Sequence, residues 1–190
     1  EMVSLPEYVL RQVAAELKVE DRALAAYLLS HLDEDGFLTA TILDVARYHH
    51  RLPEDIKALI ERLKRCDPIG VCSTNPKEAL LVQLEVLSES VEIPPFTREI
   101  VSDHLPKLSQ HHYAEIARAL GTSNIKVQTA AAFISENLNP FPARANWGDL
   151  QSPAASGVNV YHRPDILIYH LNENPNNPLV VEIIHPIRGT

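Results

Sequence analysis

The sequence predicts a mainly α-helical fold: two small helical bundles, the second with a helix-turn-helix-like pair, followed by a linker and a β-hairpin. Three observations predict this fold. Apolar residues recur at helical spacing from about residue 4 to residue 138. Residues that cap helices precede most of these apolar runs. After residue 139 the helical spacing stops, and half of the 14 prolines follow. We therefore expect helical bundles at 1–92 and 93–139, a linker at 140–157 and a β-hairpin segment at 158–190.

Composition limits the classes of function. At 190 residues and 45% hydrophobic content, the chain can bury one good core or two small ones. The formal net charge is −8, from 17 Lys and Arg against 25 Asp and Glu, so the chain lacks a bulk electrostatic attraction to nucleic acid. No apolar run approaches the roughly 18 residues that a membrane span needs. Cys66 and Cys72 lack the spacing of a metal site, and we interpret them as reduced thiols of an intracellular protein.

The first 65 residues contain the signals for four helices. Ser4 and Glu7 have the spacing of a capping box, Thr41 and Asp44 repeat it, and Pro53 is suited to a first helical turn. The predicted helices run from about 4 to 17, from about Leu24 to the acidic cluster at 33–36, from Thr41 to about His49, and from Pro53 to Arg65. The last of them has acidic residues in its first turn and basic residues in its last, the order that the helix dipole favours.

The acidic cluster Asp33-Glu34-Asp35-Gly36 resembles part of a calcium-binding loop. With Gly36 at loop position six, His31 falls at position one and Ile42 at position twelve, where calcium requires oxygen ligands. We therefore interpret the cluster as a structural turn in which the glycine ends the preceding helix.

A rigid corner, Cys66-Asp67-Pro68-Ile69-Gly70-Val71, follows the fourth helix. Pro68 disfavours a helical conformation at Asp67, and Gly70 can adopt the positive φ that a tight turn often needs. The segment 47–77 around this corner contains seven basic and four acidic residues, an excess of three positive charges in an acidic chain. The excess is compatible with complementation of the helix dipole or with a docking patch for an acidic partner.

A fifth helix is predicted from Pro76 to about Ser88, with Asn75 as its N-cap. Residues 91–95 are expected to form a hinge because two consecutive prolines interrupt any helix. Thr97 is expected to cap a sixth helix that ends near Lys107 with the help of Pro106.

Residues 113–138 have the layout of a helix-turn-helix: a helix, a turn with Gly121, and a second helix capped by Ser123. The DNA-contact candidates in the second helix are Asn124, Lys126 and Gln128. Lys126 is the only cation of that helix, whereas DNA-backbone anchoring normally draws on several. We therefore favour a role in packing or protein docking over DNA binding. The adjacent histidine pairs at 49–50 and 111–112 do not share a helix face, which disfavours metal binding.

The last part of the chain changes character. Residues 158–169 and 179–184 are rich in β-branched and aromatic residues, and residues 172–178 between them are dense in turn formers. This pattern predicts a β-hairpin, which needs another element to pack on because an isolated hairpin is only marginally stable.

Three motifs together resemble the sigma-54 family of bacterial RNA polymerase sigma factors. The first is the segment from Leu32 to Leu38, Leu-Asp-Glu-Asp-Gly-Phe-Leu. The second is Asp67-Pro68-Ile69-Gly70-Val71 with Glu78, Leu80, Gln83 and Leu84 after it. The third comprises Tyr113, Ile116, Ala117, Leu120 and Gly121 with the later segment Leu138-Asn139-Pro140-Phe141-Pro142. Pro164-Asp165-Ile166 also fits the family, so the motifs cover nearly the whole chain in the family's order. The chain departs from the family's usual pattern at Cys72–Asn75 and at Ala143.

The resemblance implies a cytoplasmic, non-catalytic module that binds core RNA polymerase through two helical bundles, without a cofactor, metal or small-molecule substrate. It also implies that contacts with promoter DNA and with an ATP-driven activator belong to regions outside these 190 residues. The polymerase-binding candidates lie at the corner and its basic edge: Arg62, Lys64, Arg65, Asp67, Pro68, Gly70, Val71 and Lys77. The runner-up is a free-standing helix-turn-helix regulator that uses residues 113–138. A metal-dependent hydrolase built from the nine histidines is a third and more remote possibility.

Overall fold

The structure is a computed structural model that describes residues 3–148, together with the backbone of two strands at 166–170 and 179–183. Residues 3–148 are mainly helical. The helices, in chain order, are α1 (Leu5–Val13), α2 (Val19–Ser30), α3 (Ile42–His49), α4 (Pro53–Lys64), α5 (Pro76–Leu87), α6 (Thr97–Asp103), α7 (Leu105–Ser109), α8 (Tyr113–Ala119) and α9 (Asn124–Asn137), followed by a short 3-10 helix at Pro142–Arg144. In this described part, no helix is long and apolar enough to cross a membrane.

Side-chain caps begin four of these helices where the sequence predicted them. The side chain of Ser4 accepts a hydrogen bond from the backbone N–H of Glu7, and Thr41, Asn75 and Ser123 each accept one from the backbone three residues later. Each cap satisfies an N–H group that the first helical turn would otherwise leave without a partner. These predictions are confirmed because the signal and its structural effect lie within one helical turn.

The predicted sixth helix is wrong in its extent. It divides at His104 into α6 and α7, because Pro106 lies in the first turn of α7 rather than at the end of α6. The N-cap of α6 is Phe96, with a positive φ of 67°, and the Thr97 hydroxyl instead donates to the carbonyl of Pro94 at 2.7 Å. The first helix also ends early, at Val13, although Leu17 still reaches the core at 4% exposure.

Two apolar clusters form the core of residues 3–148. The first joins buried side chains of α1–α4 and continues into Val71 and Cys72 of the corner. The second joins α5, α6, α8 and α9, with Ile100, Ile116 and Val127 fully buried at its centre. Leu80 and Leu84 place α5 in the second cluster.

The first residues of the predicted linker 140–157 pack on the first bundle. We call residues 141–148 the exit segment. Ala143 N–H donates to the carbonyl of Asp35 at 3.0 Å, and Arg144 forms an ion pair with Asp35 at 2.5 Å. Trp147 packs on Tyr8 with ring centroids 5.2 Å apart. Residues 149–157 lie outside the described residues.

The second unit contains strands β1 (Ile166–His170) and β2 (Leu179–Ile183). They pair antiparallel, with Ile166 opposite Ile183 and His170 opposite Leu179. Residues 166–169 of the predicted strand 158–169 belong to β1, and residues 158–165 lie outside the described residues. The predicted turn at 172–178 lies outside the described residues, so the complete hairpin stays a prediction.

Candidate functional site at the corner between the bundles

In the structure the corner is wider than the predicted 66–71 and comprises residues 65–75. Its own backbone closes the end of α4. Gly70 N–H donates to the carbonyl of Lys64 at 2.8 Å, and Val71 N–H donates to that of Pro68 at 3.1 Å. The Asp67–Pro68 peptide is cis, and Gly70 has a φ of 94°. A Cβ atom built on Gly70 would lie 3.1 Å from both the Cβ and the carbonyl oxygen of Ala79. Gly70 therefore permits both the turn and the close approach of α5.

The acidic cluster at 33–36 is a structural turn that supports the corner. Asp33 Oδ1 accepts from the backbone N–H groups of Asp35 and Phe37, both at 2.9 Å. Two backbone hydrogen bonds then tie this turn to the corner: Cys72 N–H to the Gly36 carbonyl at 3.0 Å, and Leu38 N–H to the Ser73 carbonyl at 2.9 Å. The carboxylate of Asp33 is thus used within the turn itself.

Asp67 connects the corner with α1 and the exit segment. Its Oδ2 accepts from the Tyr8 hydroxyl at 2.5 Å and from the Gly148 N–H at 3.2 Å. Its backbone is held by the Gln12 amide, which donates to the Asp67 carbonyl at 2.7 Å and accepts from the Asp67 N–H at 2.9 Å. This predicted site residue therefore organises three segments that are far apart in sequence.

Gln83 of α5 makes a second junction, which we call the Gln83 clasp. Its side chain is 8% exposed. Nε2 donates to the carbonyls of Asn139 at 2.7 Å and Ile69 at 3.1 Å, while Oε1 accepts from Asn139 N–H at 2.8 Å. The clasp supplies hydrogen-bond partners to three backbone groups. Two belong to Asn139, just after α9, and one belongs to Ile69 of the corner.

Lys64, one of the predicted polymerase-binding residues, is a buried cation. It is 5% exposed, and its Nζ lies 2.6 Å from Glu61 and 2.5 Å from Glu78. Burial alone would lower the pKa of Lys64, but hydrogen bonds to Glu61 and Glu78 outweigh it and raise the pKa above the ordinary 10.5. Burial alone would raise the pKa of Glu78, but hydrogen bonds from Lys64 and Thr74 lower it below the ordinary 4.5.

These shifts predict the pH range over which the Lys64–Glu78 pair stabilises the fold. The contribution of Glu78 is present above pH 4.5 and is lost as the pH falls through its lowered pKa in the folded state. The contribution of Lys64 is present below pH 10.5 and is lost as the pH rises through its raised pKa. Urea unfolding should therefore show a stability plateau between these limits. Below the lower limit and above the upper one, the double variant Lys64→Met/Glu78→Gln should lose less stability than the wild type. Equal losses of stability in the two proteins would contradict the prediction.

The remaining predicted basic residues are mostly paired with acids. Arg62 lies 3.1 Å from Glu16, and Arg65 is bonded to both Glu85 and Glu89. Their side chains keep about half of their exposure, 49% for Arg62 and 50% for Arg65. Lys77 is exposed and has no ion-pair partner among the described residues. The positive excess predicted from the sequence is therefore largely balanced by Glu16, which follows α1, by Glu85 of α5 and by Glu89, which follows α5.

The two thiols belong to the corner's core. Cys66 and Cys72 are free and buried. Burial raises the pKa of Cys66 to about 11 and that of Cys72 to about 12, so both are protonated near neutral pH. Among the residues that the structure describes, no group of three His, Cys, Asp or Glu side chains could hold a metal ion.

The alternative site lies on α9, away from the corner. Asn124, Lys126 and Gln128 are exposed, as the helix-turn-helix prediction requires. Ile125, between them, is 74% exposed. A surface with one cation and a large apolar side chain offers little for phosphate contacts.

Sequence reasoning missed Tyr8, Gln12 and the exit segment as parts of the site. Each acts over 55 residues or more, and no local spacing indicates such contacts. The sequence contained one signal for the Gln83 clasp: Gln83 and Asn139 both belong to the motifs that carry the family resemblance.

The sequence of this chain is similar to one family model and to several known proteins. The family model described as "Sigma-54 factor, core binding domain" matches residues 1–183. RNA polymerase sigma-54 factor of Escherichia coli K12 is 26% identical over 169 residues, covering 87% of this chain and 34% of that protein. The protein of the same name from Acidithiobacillus ferridurans is 30% identical over 141 residues, covering 73% and 30%. The chain thus spans about a third of the length of these relatives.

Two solved structures are also similar. One is described as Aquifex aeolicus sigmaN bound to promoter DNA, with a TM-score of 0.49 and 19% identity, covering 94% of this chain and 45% of that one. The other is described as the core binding domain of sigma54, with a TM-score of 0.46 and 25% identity, covering 73% and 92%.

Proposed function

Because this chain belongs to the sigma-54 family, we propose that it is the part of a transcription initiation factor that docks on core RNA polymerase. The observation that carries the proposal is the match of the core-binding-domain model to residues 1–183. The module would work in the bacterial cytoplasm as a binding surface and would catalyse no reaction itself. Promoter DNA and an ATP-driven activator would be bound by other parts of the longer protein.

The corner supports this role by holding the two bundles at a fixed geometry. Asp67, Pro68, Gly70 and Val71 act through the packing of the corner, since Val71 is fully buried and Asp67 is bonded to α1 and the exit segment. Rigid presentation of a surface lowers the entropy lost on binding. Of the basic candidates, Arg62, Arg65 and Lys77 are the ones exposed enough to contact an acidic partner directly.

We also infer that residues 158–190 form a hairpin that leads toward the promoter-binding part of the parent protein. Antiparallel pairing of β1 with β2 supports this proposal. Both strands are apolar and β-branched, which fits a two-stranded element that packs on a neighbour.

The proposal predicts that the 190-residue chain binds purified bacterial core RNA polymerase. Fluorescence anisotropy of the labelled chain should show saturable binding at modest salt, and gel filtration should show co-elution. A protein of similar size and net charge serves as the control for nonspecific adsorption. Absence of binding by the folded chain would overturn the proposal.

The alternative function, a free-standing helix-turn-helix regulator, predicts binding to DNA instead of binding to polymerase. It requires salt-dependent binding of duplex DNA by this chain alone, with a slope set by several phosphate contacts. Since α9 contains one cation and the family match favours polymerase binding, we expect a flat gel-shift titration.

A further inference from the structure

A groove of about 670 Å³ lies between residues 38–43, α4 and the start of α5. Most of its surface is apolar, and the apolar residues that line it are Leu38, Ala40, Ile42, Leu43, Ile60 and Cys72. Leu38, Ile60 and Cys72 are buried and form the floor, at 8%, 5% and 0% exposure. Leu43 stands at the edge and is 61% exposed, although leucine is a residue that folding normally buries. An exposed apolar edge over an apolar floor is typical of a protein-binding site.

The carboxylates around the groove are already in use. Glu61 and Glu78 both bind Lys64, and Glu78 also accepts from the Thr74 hydroxyl at 2.6 Å. Asp44, on α3, accepts from the Thr41 hydroxyl at 2.5 Å. Each of these three carboxylates is therefore already hydrogen-bonded within the chain.

The cations of the segment 47–77 that form no ion pair include one that lines this groove. In the described part of the segment 47–77, the cations that form no ion pair are Arg47, Lys57 and Lys77. Lys57 lines the groove, Arg47 lies one helical turn beyond Leu43, and Lys77 directly precedes Glu78. All three are exposed. The local electrostatic field at the edge of the groove therefore favours an acidic ligand, although the whole chain is acidic.

We propose that this groove is where the chain receives a protein segment of a core polymerase subunit, one with aliphatic side chains flanked by Asp or Glu. The aliphatic side chains would cover Leu43 and the floor, and the carboxylates would meet Lys57 and Arg47. This inference rests on the proposed function and adds the place of docking and the chemistry of the docked segment. The expected contact therefore lies away from Arg62 and Arg65, which form ion pairs with Glu16, Glu85 and Glu89.

The test measures binding of the 190-residue chain and its variants to purified core polymerase by fluorescence anisotropy. Leu43→Glu and Lys57→Glu place a negative charge at the groove edge, and each should weaken binding by about tenfold or more. The matched controls are Val19→Glu, at an apolar residue that is 78% exposed, and Arg118→Glu, at an exposed cation without an ion-pair partner in the described chain. Both controls should bind like the wild type. All four positions are exposed, so thermal unfolding should show each variant folded.

The outcomes separate the two proposals. If the wild type binds polymerase and Leu43→Glu and Lys57→Glu bind equally well, the groove is not the docking site. Polymerase docking itself would still stand. No binding by the wild type would overturn both. If the control variants weaken binding as strongly as the groove variants, the effect is general charge repulsion and the groove inference fails.

A photoreactive amino acid at position 43 identifies the occupant. Cross-linking in the presence of core polymerase, followed by mass spectrometry, should recover a polymerase peptide that contains aliphatic residues next to Asp or Glu. A cross-link to a second copy of this chain, to nucleic acid, or to a basic polymerase segment would overturn the inference.

Discussion

Replacing Gly70 with alanine is expected to lower the free energy of unfolding by about 2–4 kcal/mol. Two costs combine at this position. Its φ of 94° is a conformation that L side chains rarely adopt, and the added Cβ would lie 3.1 Å from backbone and side-chain atoms of Ala79. Relief of the contact requires α5 to move away from the corner, which would also weaken the junction of the two bundles.

Gly121 offers a matched control for the Gly70→Ala variant. It also has a positive φ, 62°, but no atom lies within 4 Å of a Cβ built there. Gly121→Ala should therefore cost only the backbone term, about 1–2 kcal/mol. Urea unfolding of the two variants separates steric contact from backbone strain. Equal losses of stability would show that the approach of Ala79 contributes nothing.

Replacing Gln83 with leucine is expected to cost about 2–4 kcal/mol, although the two side chains have similar sizes. The substitution leaves the N–H and carbonyl of Asn139 and the carbonyl of Ile69 without the partners that the buried amide provides. Buried backbone groups that lose their hydrogen bonds pay a desolvation cost that apolar packing does not offset. The same change should lower polymerase affinity if docking uses both bundles.

Gln12→Leu is the matched control for the Gln83 clasp. The side chain of Gln12 also forms hydrogen bonds with a backbone N–H and a backbone carbonyl, both of Asp67. Unlike Gln83, Gln12 lies at the surface. Water can replace its hydrogen bonds, so the expected loss is about 0.5–1.5 kcal/mol. A loss at Gln83 no larger than that at Gln12 would contradict the assignment of the clasp as a buried junction.

The sequence predicted features whose causes are local. Ser4, Thr41, Asn75 and Ser123 cap helices because each side chain reaches an N–H group only three residues away. Proline was harder to interpret. Pro106 is equally compatible with the end of one helix and the start of the next, and only packing decided for the start of α7.

The contacts that the candidate residues make could not be predicted from the sequence. The corner at 66–71 was identified correctly as a rigid turn, yet Lys64 could not be recognised as a buried cation. Its partner Glu78 lies 14 residues away, beyond a turn whose geometry depends on Gly70 and Ala79. Arg62 and Arg65 were similarly read as an open basic edge, because pairing with Glu16, Glu85 and Glu89 arises only when the helices pack.

The return of the exit segment to α1 has a mechanical consequence. Trp147 packs on Tyr8 and closes a loop of about 140 residues, and Gly148 bonds to Asp67, 81 residues before it. Tension applied to the chain beyond Gly148 is therefore transmitted first to Asp67 and α1, and it bypasses α6–α9. Movements of whatever follows the exit segment would pull on the corner directly, while the second bundle carries little of the load.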